Sequence, residues 1–453
     1  MKKPYVDKIL ERLEHSSMFH LSLGSKELFH SNFLYWLSIV DWNAFMQVAR
    51  KLAGVKCFWW ENQYKRSDDR DENEIEVRRE SRNFDLSIFV CVHREAKEDG
   101  STEAKEAWIP VFILENKMKS LPRQDQLQEY TEKAFKEWNK KKKFDQIEEL
   151  WQQEGISFVL LSLFVDDEFQ NQCYYTYKKK ENERQVVANW KIRNYKDLHE
   201  FLKGMKLQDG NVLNLQILED YCQFILALHD LAENDWKISV DDMFVKTIHP
   251  WAIKGYHGDR QVQLRIDDIR QKVHYAQMEK MLRKKLSEEG IEACHAKEKD
   301  KKTVMYATNY AHNIGILEIS VAFQGDTFIF IQLQGNSYAH AFARLKNENA
   351  AQELIKYEQQ MEPLFEFSLE GPANEKCERV TEKYPAVLMS KVLYPQGVNK
   401  QAVRNKMDLT NFKYFGQGFI YQNILIPEKV TIGEVIQAMV EDTKKIIEIR
   451  EMY

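Results

Sequence analysis

Over residues 4–40 the apolar positions recur at intervals of three and four. Val6, Ile9, Leu10, Leu13 and Met18 form one stripe, and Leu28, Phe29, Phe33, Trp36, Leu37 and Val40 form a second within SKELFHSNFLYWLSIV. This is the helical period, and it predicts two helices at the start of the chain. Ser25 is placed to accept backbone N–H groups as an N-cap. That would set Glu27 in the first turn, where the helix dipole favours an acid. The pattern then turns to strands. VKCFWWENQY (55–64) reads as a strand followed by the polar loop SDDRDENE, and FDLSIFVCVH (84–93) and AWIPVFILENK (107–117) read as two more, separated by the charged REAKEDGSTEAKE.

Helical spacing returns in LPRQDQLQEYTEKAFKEW, with Leu127, Tyr130, Ala134, Phe135 and Trp138 on one side. ISFVLLSLFV (156–165) is a continuous apolar run of the kind found in a strand covered on both faces. After VVANWKIRNY come a helix over about 195–203 and a longer amphipathic one over about 212–232. Strands alternating with helices imply an α/β unit, a mixed sheet flanked by helices, over residues 1–235. Beyond AENDWKISVDD the order changes. A helix at about 268–289 leads to strand candidates at 303–309, 314–322 and 326–334, the last two joined by the turn FQGD. Helices near 347–359 and 432–448, with FGQGFIYQNILI as a strand between them, complete an α+β domain over 240–453. Its segment DTFIFIQLQGNSYAHAF alternates apolar and polar residues as a strand with one face in water would.

Composition narrows the function classes. With 453 residues, 43% of them hydrophobic, the chain can bury more than one core. A net charge of -5 excludes a uniformly basic surface, so a nucleic-acid partner would need a local basic groove. EKAFKEWNKKKKF, YKKKENER and MLRKKL are local basic clusters, though each also fits a solvated helix face or loop. Six cysteines without a CxxC pair argue against a disulfide framework and a thiolate zinc site, and fit a reducing cytoplasm. Cys294 and His295 are adjacent without zinc-spaced partners and read as strand residues. The N-terminus lacks an apolar signal region, and no run approaches 18 uncharged apolar residues; the expectation is a cytoplasmic protein with no membrane partner.

The candidate chemistry lies where the run VFIL stops on Glu115, Asn116 and Lys117. Side chains alternate along a strand, so Glu115 and Lys117 share a face and Asn116 points away. If the two strands form a hairpin centred on Gly100, Asp85 falls opposite Glu115. Two carboxylates suit a hard divalent cation that keeps water and a phosphate oxygen in its shell, and a neighbouring lysine would stabilise charge developing on phosphate. The competing reading is an exposed ion pair with no chemistry.

FDL followed after a gap by ILENK resembles the D…(D/E)xK signature of the PD-(D/E)XK nuclease superfamily, with its restriction-endonuclease-like fold. KELFHSNFLYWL resembles the E-x-x-H-S-x-F-L-x-W-L helix of a bacterial branch, and QLQEY the Q-x-x-x-Y element of RecB-like and phage-exonuclease-like members. The resemblance spans about residues 20–232; Phe84 stands where the superfamily name has proline. It implies a nuclease dependent on Mg²⁺, with Mn²⁺ as substitute, acting on DNA before RNA, in bacterial DNA processing or defence. Asp85 and Glu115 would be metal ligands, Glu27 a further acid near the metal, and Lys117 the water-activating base or electrostatic stabiliser. His30, Ser31, Gln126 and Tyr130 would contact substrate. Structural roles compete at Glu27 (a capped first turn), His30 (a hydrogen-bonded histidine) and Tyr130 (a core tyrosine). The alternative function is a nucleic-acid-binding or scaffold protein on the same fold that has lost turnover. A homo-oligomer is compatible with either.

Overall fold

A computed structural model describes residues 3–22, 27–64, 74–81, 84–93, 106–118, 124–140, 155–163, 172–177, 186–208, 210–248, 259–296, 303–311, 314–322, 327–344, 367–370, 413–415 and 419–452. It is a mixed α/β protein that divides into two compact units, Met1–Asp235 with His257–Ile266, and Trp236–Tyr256 with Asp267–Tyr453. Ser25, Gly100 and the helix expected near 347–359 lie outside the described residues.

The first unit opens with helices α1 (Lys3–His15), α2 (Ser17–Leu21), α3 (Glu27–Val40) and α4 (Trp42–Ala53). Asp41 caps α4 by accepting the Ala44 N–H at 2.9 Å, and Gly54 ends it at φ 70°. Next come β1 (Ile75–Ser81), β2 (Phe84–His93), β3 (Glu106–Lys117), α5 (Gln124–Lys140), β4 (Ser157–Ser162), β5 (Gln172–Tyr177), β6 (Val186–Asn194), α6 (Tyr195–Leu202) and α7 (Val212–Asn234). The six strands form one sheet in the order β1-β2-β3-β4-β6-β5. β1, β2 and β3 are antiparallel, β3, β4 and β6 are parallel, and β5 closes the edge antiparallel to β6.

β3 is central, and Ile109, Val111, Phe112, Ile113 and Leu114 are buried on both of its faces. On one face α5 packs through Phe135 on Phe158, with ring centroids 5.9 Å apart. Thr131 of α5 accepts the Trp190 indole N–H from β6 at 2.8 Å. The opposite face carries Phe112 against Phe58, which follows α4. That contact explains a departure from the sequence pattern. Residues 55–64 are not a strand but a string of turns, in which Tyr64 N–H and Gln63 N–H both donate to Trp60 O and Glu61 caps the Phe58 N–H at 3.0 Å. Phe58 stacks on Trp60 at 5.0 Å, so the apolar residues cover the sheet instead of joining it. β5 was not anticipated.

The second unit contains α8 (Phe244–Ile248), most of α9 (Arg260–Glu288), β7 (Ala293–His295), β8 (Val304–Ala311), β9 (Ile314–Ala322), β10 (Thr327–Gln334), β11 (Ser337–Arg344), β12 (Lys413–Phe415), β13 (Phe419–Leu425) and α10 (Ile432–Met452). Its seven strands run β12-β13-β11-β10-β9-β8-β7, antiparallel except for β7 beside β8. Tyr275, Met278 and Leu282 of α9 and Val435 and Met439 of α10 share a core with Leu317, Ile319, Ile331 and Leu333. The segment expected to keep one face in water is a hairpin turning at Gly335, φ 55°, and at Gln332 its polar side is buried too. Gln332 is 6% exposed and donates to Glu318 at 3.2 Å, so polar groups satisfy one another across strands in place of solvent. Asp442 of α10 accepts from the Tyr338 hydroxyl at 2.7 Å and from His340 Nε2 at 2.8 Å, tying the helix to β11. Among the described residues no helix is long and apolar enough to cross a membrane.

Candidate active site

The hairpin register decides where Asp85 falls. Near the turn the pairing runs His93↔Glu106 to Phe89↔Pro110; a bulge at Ile88/Phe89 then shifts it to Ile88↔Phe112 and Leu86↔Leu114. Continued by one residue, the shifted register sets Asp85 against Glu115, whereas the unshifted one would have set Phe84 there. The Asp85 carboxylate accepts the backbone N–H of Asn116 at 2.7 Å, which anchors it between the two charged residues of β3.

Glu115 and Lys117 share the α5 face, as strand parity requires. Lys117 Nζ donates to Glu115 Oε1 at 2.7 Å; Glu115 is 2% exposed and the lysine 11%. The pair is therefore not the solvated surface ion pair that the bland reading expected. Glu115 Oε2 is buried with no hydrogen-bond partner among the described residues. Burial pushes the Glu115 carboxyl from the ordinary 4.5 up to about 7. The Lys117 charge works against this, Asp85 adds to it, and hydrogen bonding from Lys117 and Tyr130 opposes it.

Two further expected residues join from α5. Gln126 Nε2 donates to the Tyr130 hydroxyl at 2.8 Å, as residues four apart on a helix can. Tyr130 stands edge-on to Phe84, the residue before Asp85, with centroids 6.0 Å apart. Its hydroxyl pKa is raised by burial first and by the Glu115 charge second. Asp85, Glu115, Lys117, Gln126 and Tyr130 thus form one cluster.

Two of the remaining expected residues, His30 and Ser31, are placed differently. His30 is buried against the opposite face of β3, with Nδ1 3.0 Å from the Tyr221 hydroxyl and Nε2 3.2 Å from Met118 Sδ. Burial lowers its pKa to about 3, so the ring is neutral. Ser31 is fully buried on the same helix, and Glu27 opens that helix with its side chain outside the described residues. The opposite face also holds Asn116, whose Oδ1 accepts the Tyr195 hydroxyl at 2.6 Å. Sequence reasoning passed over Tyr195 and also Ser162, which pairs in register with Lys117. The signal for Ser162 was one hydroxyl at the end of the apolar run FVLL.

Among the described residues no group of three or more His, Cys, Asp and Glu side chains is disposed to hold a metal ion. The donors offered are the two carboxylates, Asp85 and Glu115. They fit a hard divalent cation as part of a shell: one buried carboxylate oxygen lacks a partner, and the two acids raise each other's energy in a way a cation would relieve. Comparison with protein-family models, curated proteins and solved structures gives no match.

Proposed function

We propose that this chain is a metal-dependent nuclease that hydrolyses phosphodiester bonds, DNA in first place and RNA in second, on a restriction-endonuclease-like unit. The observation that carries the reading is the buried Glu115–Lys117 pair beside Asp85, with an unpartnered carboxylate oxygen on Glu115. Burying two charges is costly, and an apolar pair would fill a central strand at lower cost, so a desolvated acid and base here point to chemistry more than to stability.

Asp85 and Glu115 would hold Mg²⁺, or Mn²⁺ in its place, which supplies Lewis-acid polarisation of the phosphate and a bound water of lowered pKa. The chain's own contribution is electrostatic and positional. Lys117 Nζ is held 2.7 Å from Glu115 Oε1, where an ammonium would stabilise negative charge developing on the phosphate oxygens. Gln126 and Tyr130 offer an amide and a hydroxyl to orient the phosphate without adding charge. The partly exposed lysine marks the side from which a substrate reaches the cluster.

The test is incubation of the full chain with linear, circular and single-stranded DNA and with RNA, in Mg²⁺, Mn²⁺ or EDTA, beside the Glu115→Gln and Lys117→Ala variants. Cleavage that needs the cation and is lost in both variants is expected. Binding without cleavage under any cation would replace the reading with a nucleic-acid-binding protein that has no turnover.

A further inference from the structure

We propose that Ser162 is a phosphate-binding residue of this site, its hydroxyl donating to a phosphate oxygen of the nucleic acid held beside Lys117. The inference rests on the nuclease reading and extends it to a residue outside the motifs.

Three observations converge. First, Ser162 ends β4 and pairs in parallel register with Lys117, so the two side chains leave the sheet on the same face, one strand spacing apart, roughly 4.8 Å. The face is that of α5, because Phe158, four residues earlier and of the same parity, is the residue Phe135 of α5 packs against. Leu163 N–H donates to Lys117 O at 2.9 Å and extends the pairing one step beyond the ladder. The site therefore lies at the carboxyl ends of two adjacent parallel strands, where loops diverge and ligands are received.

Second, Ser162 is 1% exposed and its Oγ has no hydrogen-bond partner among the described residues. The four residues before it, Phe158 to Leu161, are apolar and buried, so packing gives no reason for a hydroxyl. A buried hydroxyl without a partner costs about 1–3 kcal/mol, and alanine would fill the position without that cost.

Third, the polar groups of this face are grouped by charge along β3. At the level of Glu115 stand acceptors, the carboxylates of Asp85 and Glu115, the latter with Oε2 unpartnered among the described residues; two residues further along β3 stand donors, Lys117, which bonds Glu115 Oε1, and the Ser162 hydroxyl. The acceptor side suits a cation and the donor side suits an anion. A metal-bound phosphodiester presents both, in that order.

The experiment measures binding of a fluorescein-labelled DNA oligonucleotide by fluorescence anisotropy, in Ca²⁺ to allow binding while suppressing turnover, together with Mg²⁺ cleavage kinetics and unfolding midpoints. It compares the full-length wild type with Ser162→Ala and with Ser162→Cys, which is nearly isosteric but a weak donor. Both variants are expected to bind about tenfold more weakly, equivalent to ~1.4 kcal/mol, and to show a raised KM. Their unfolding midpoints should equal or exceed that of the wild type, since the variants lose an unsatisfied buried group. Wild-type affinity and KM in both variants overturn the assignment, as does a loss that tracks a lowered midpoint. A wild type that binds but never cleaves removes the nuclease reading and leaves the Ser162 comparison readable. A wild type that cleaves while both variants match it removes Ser162 alone. A wild type that neither binds nor cleaves removes both.

Discussion

The Tyr195 hydroxyl, at the first residue of α6, donates to Asn116 Oδ1 at 2.6 Å on the face of β3 opposite to Glu115 and Lys117. Asn116 lies between the two charged residues, so fixing its side chain on one face fixes the aim of its neighbours on the other. Tyr195 is itself held edge-on by the His30 ring, with centroids 4.9 Å apart. Tyr195→Phe keeps the ring and removes the donor. It should lower stability by about 1–3 kcal/mol in urea denaturation. On the proposed nuclease reading it should also reduce kcat with KM little changed, because Tyr195 would position the Glu115–Lys117 pair without meeting the substrate. An unchanged kcat would show that Asn116 is held adequately without Tyr195.

His30 gives the complementary case. The superfamily resemblance assigns it to substrate, but it is 1% exposed, its ring stacks on Phe224 at 5.7 Å, and both nitrogens face other buried groups. Its expected role is structural support of the far face. His30→Ala should cost about 2–4 kcal/mol through the cavity it leaves, while oligonucleotide affinity of the folded fraction stays at the wild-type value. A loss of affinity without loss of stability would return His30 to the substrate.

The pH dependence of stability separates the two residues by sign. Glu115 is raised from 4.5 to about 7, so within that window the folded state keeps a proton that the unfolded chain has released, and stability falls as pH rises through it. His30 is lowered from 6.5 to about 3, so unfolding takes up a proton below 6.5, and stability falls as pH drops. Glu318 of the second unit, also raised to about 7 by burial, acts in the same direction as Glu115. Glu115→Gln should therefore flatten the decline between 4.5 and about 7 and leave the acid limb intact, as read by denaturation at a series of pH values. Above that window Mg²⁺ should raise the unfolding midpoint of the wild type, because it binds the folded state, and not that of Glu115→Gln. A cation effect of equal size in both would place the metal elsewhere.

Much of this architecture was readable from local pattern. The alternation FDLSIFVCVH and the run VFIL specify strands, and parity alone put Glu115 with Lys117 and Asn116 behind them. The Asp85 pairing was expected from a count to Gly100, but in the fold it depends on the bulge at Ile88/Phe89, which no local pattern announced. Residues 55–64 have strand-like composition because aromatic residues suit a sheet surface whether they pair in it or lie on it, and only the tertiary contact of Phe58 with Phe112 separates the two. The resemblance of KELFHSNFLYWL assigns His30 and Ser31 to the substrate, but a helix motif says which residues share a helix, not which face of the sheet that helix covers. Ser162 was invisible for a related reason: its significance comes from register with Lys117 across a parallel crossover, a relation between distant segments.

Gln126 and Tyr130 lie together on α5, where Tyr130 packs on Phe84 and also sits at the carboxylate. The structure joins them in a chain: Gln126 donates to the Tyr130 hydroxyl at 2.8 Å, and hydrogen bonding from Tyr130 helps to lower the Glu115 pKa. Removing that hydroxyl should therefore raise the Glu115 pKa above its present value of about 7 and leave less of the carboxylate ionised at neutral pH. Tyr130→Phe, which keeps the packing on Phe84, should move the rising limb of the pH–rate profile to higher pH. It should also cost about tenfold at neutrality, ~1.4 kcal/mol, with part of the loss recovered in alkaline buffer. Gln126→Ala, acting one bond further away, should shift the profile in the same direction by less. A packing tyrosine with no part in the chemistry would leave the limb where it is, so an unshifted profile in Tyr130→Phe would remove Tyr130 from the site.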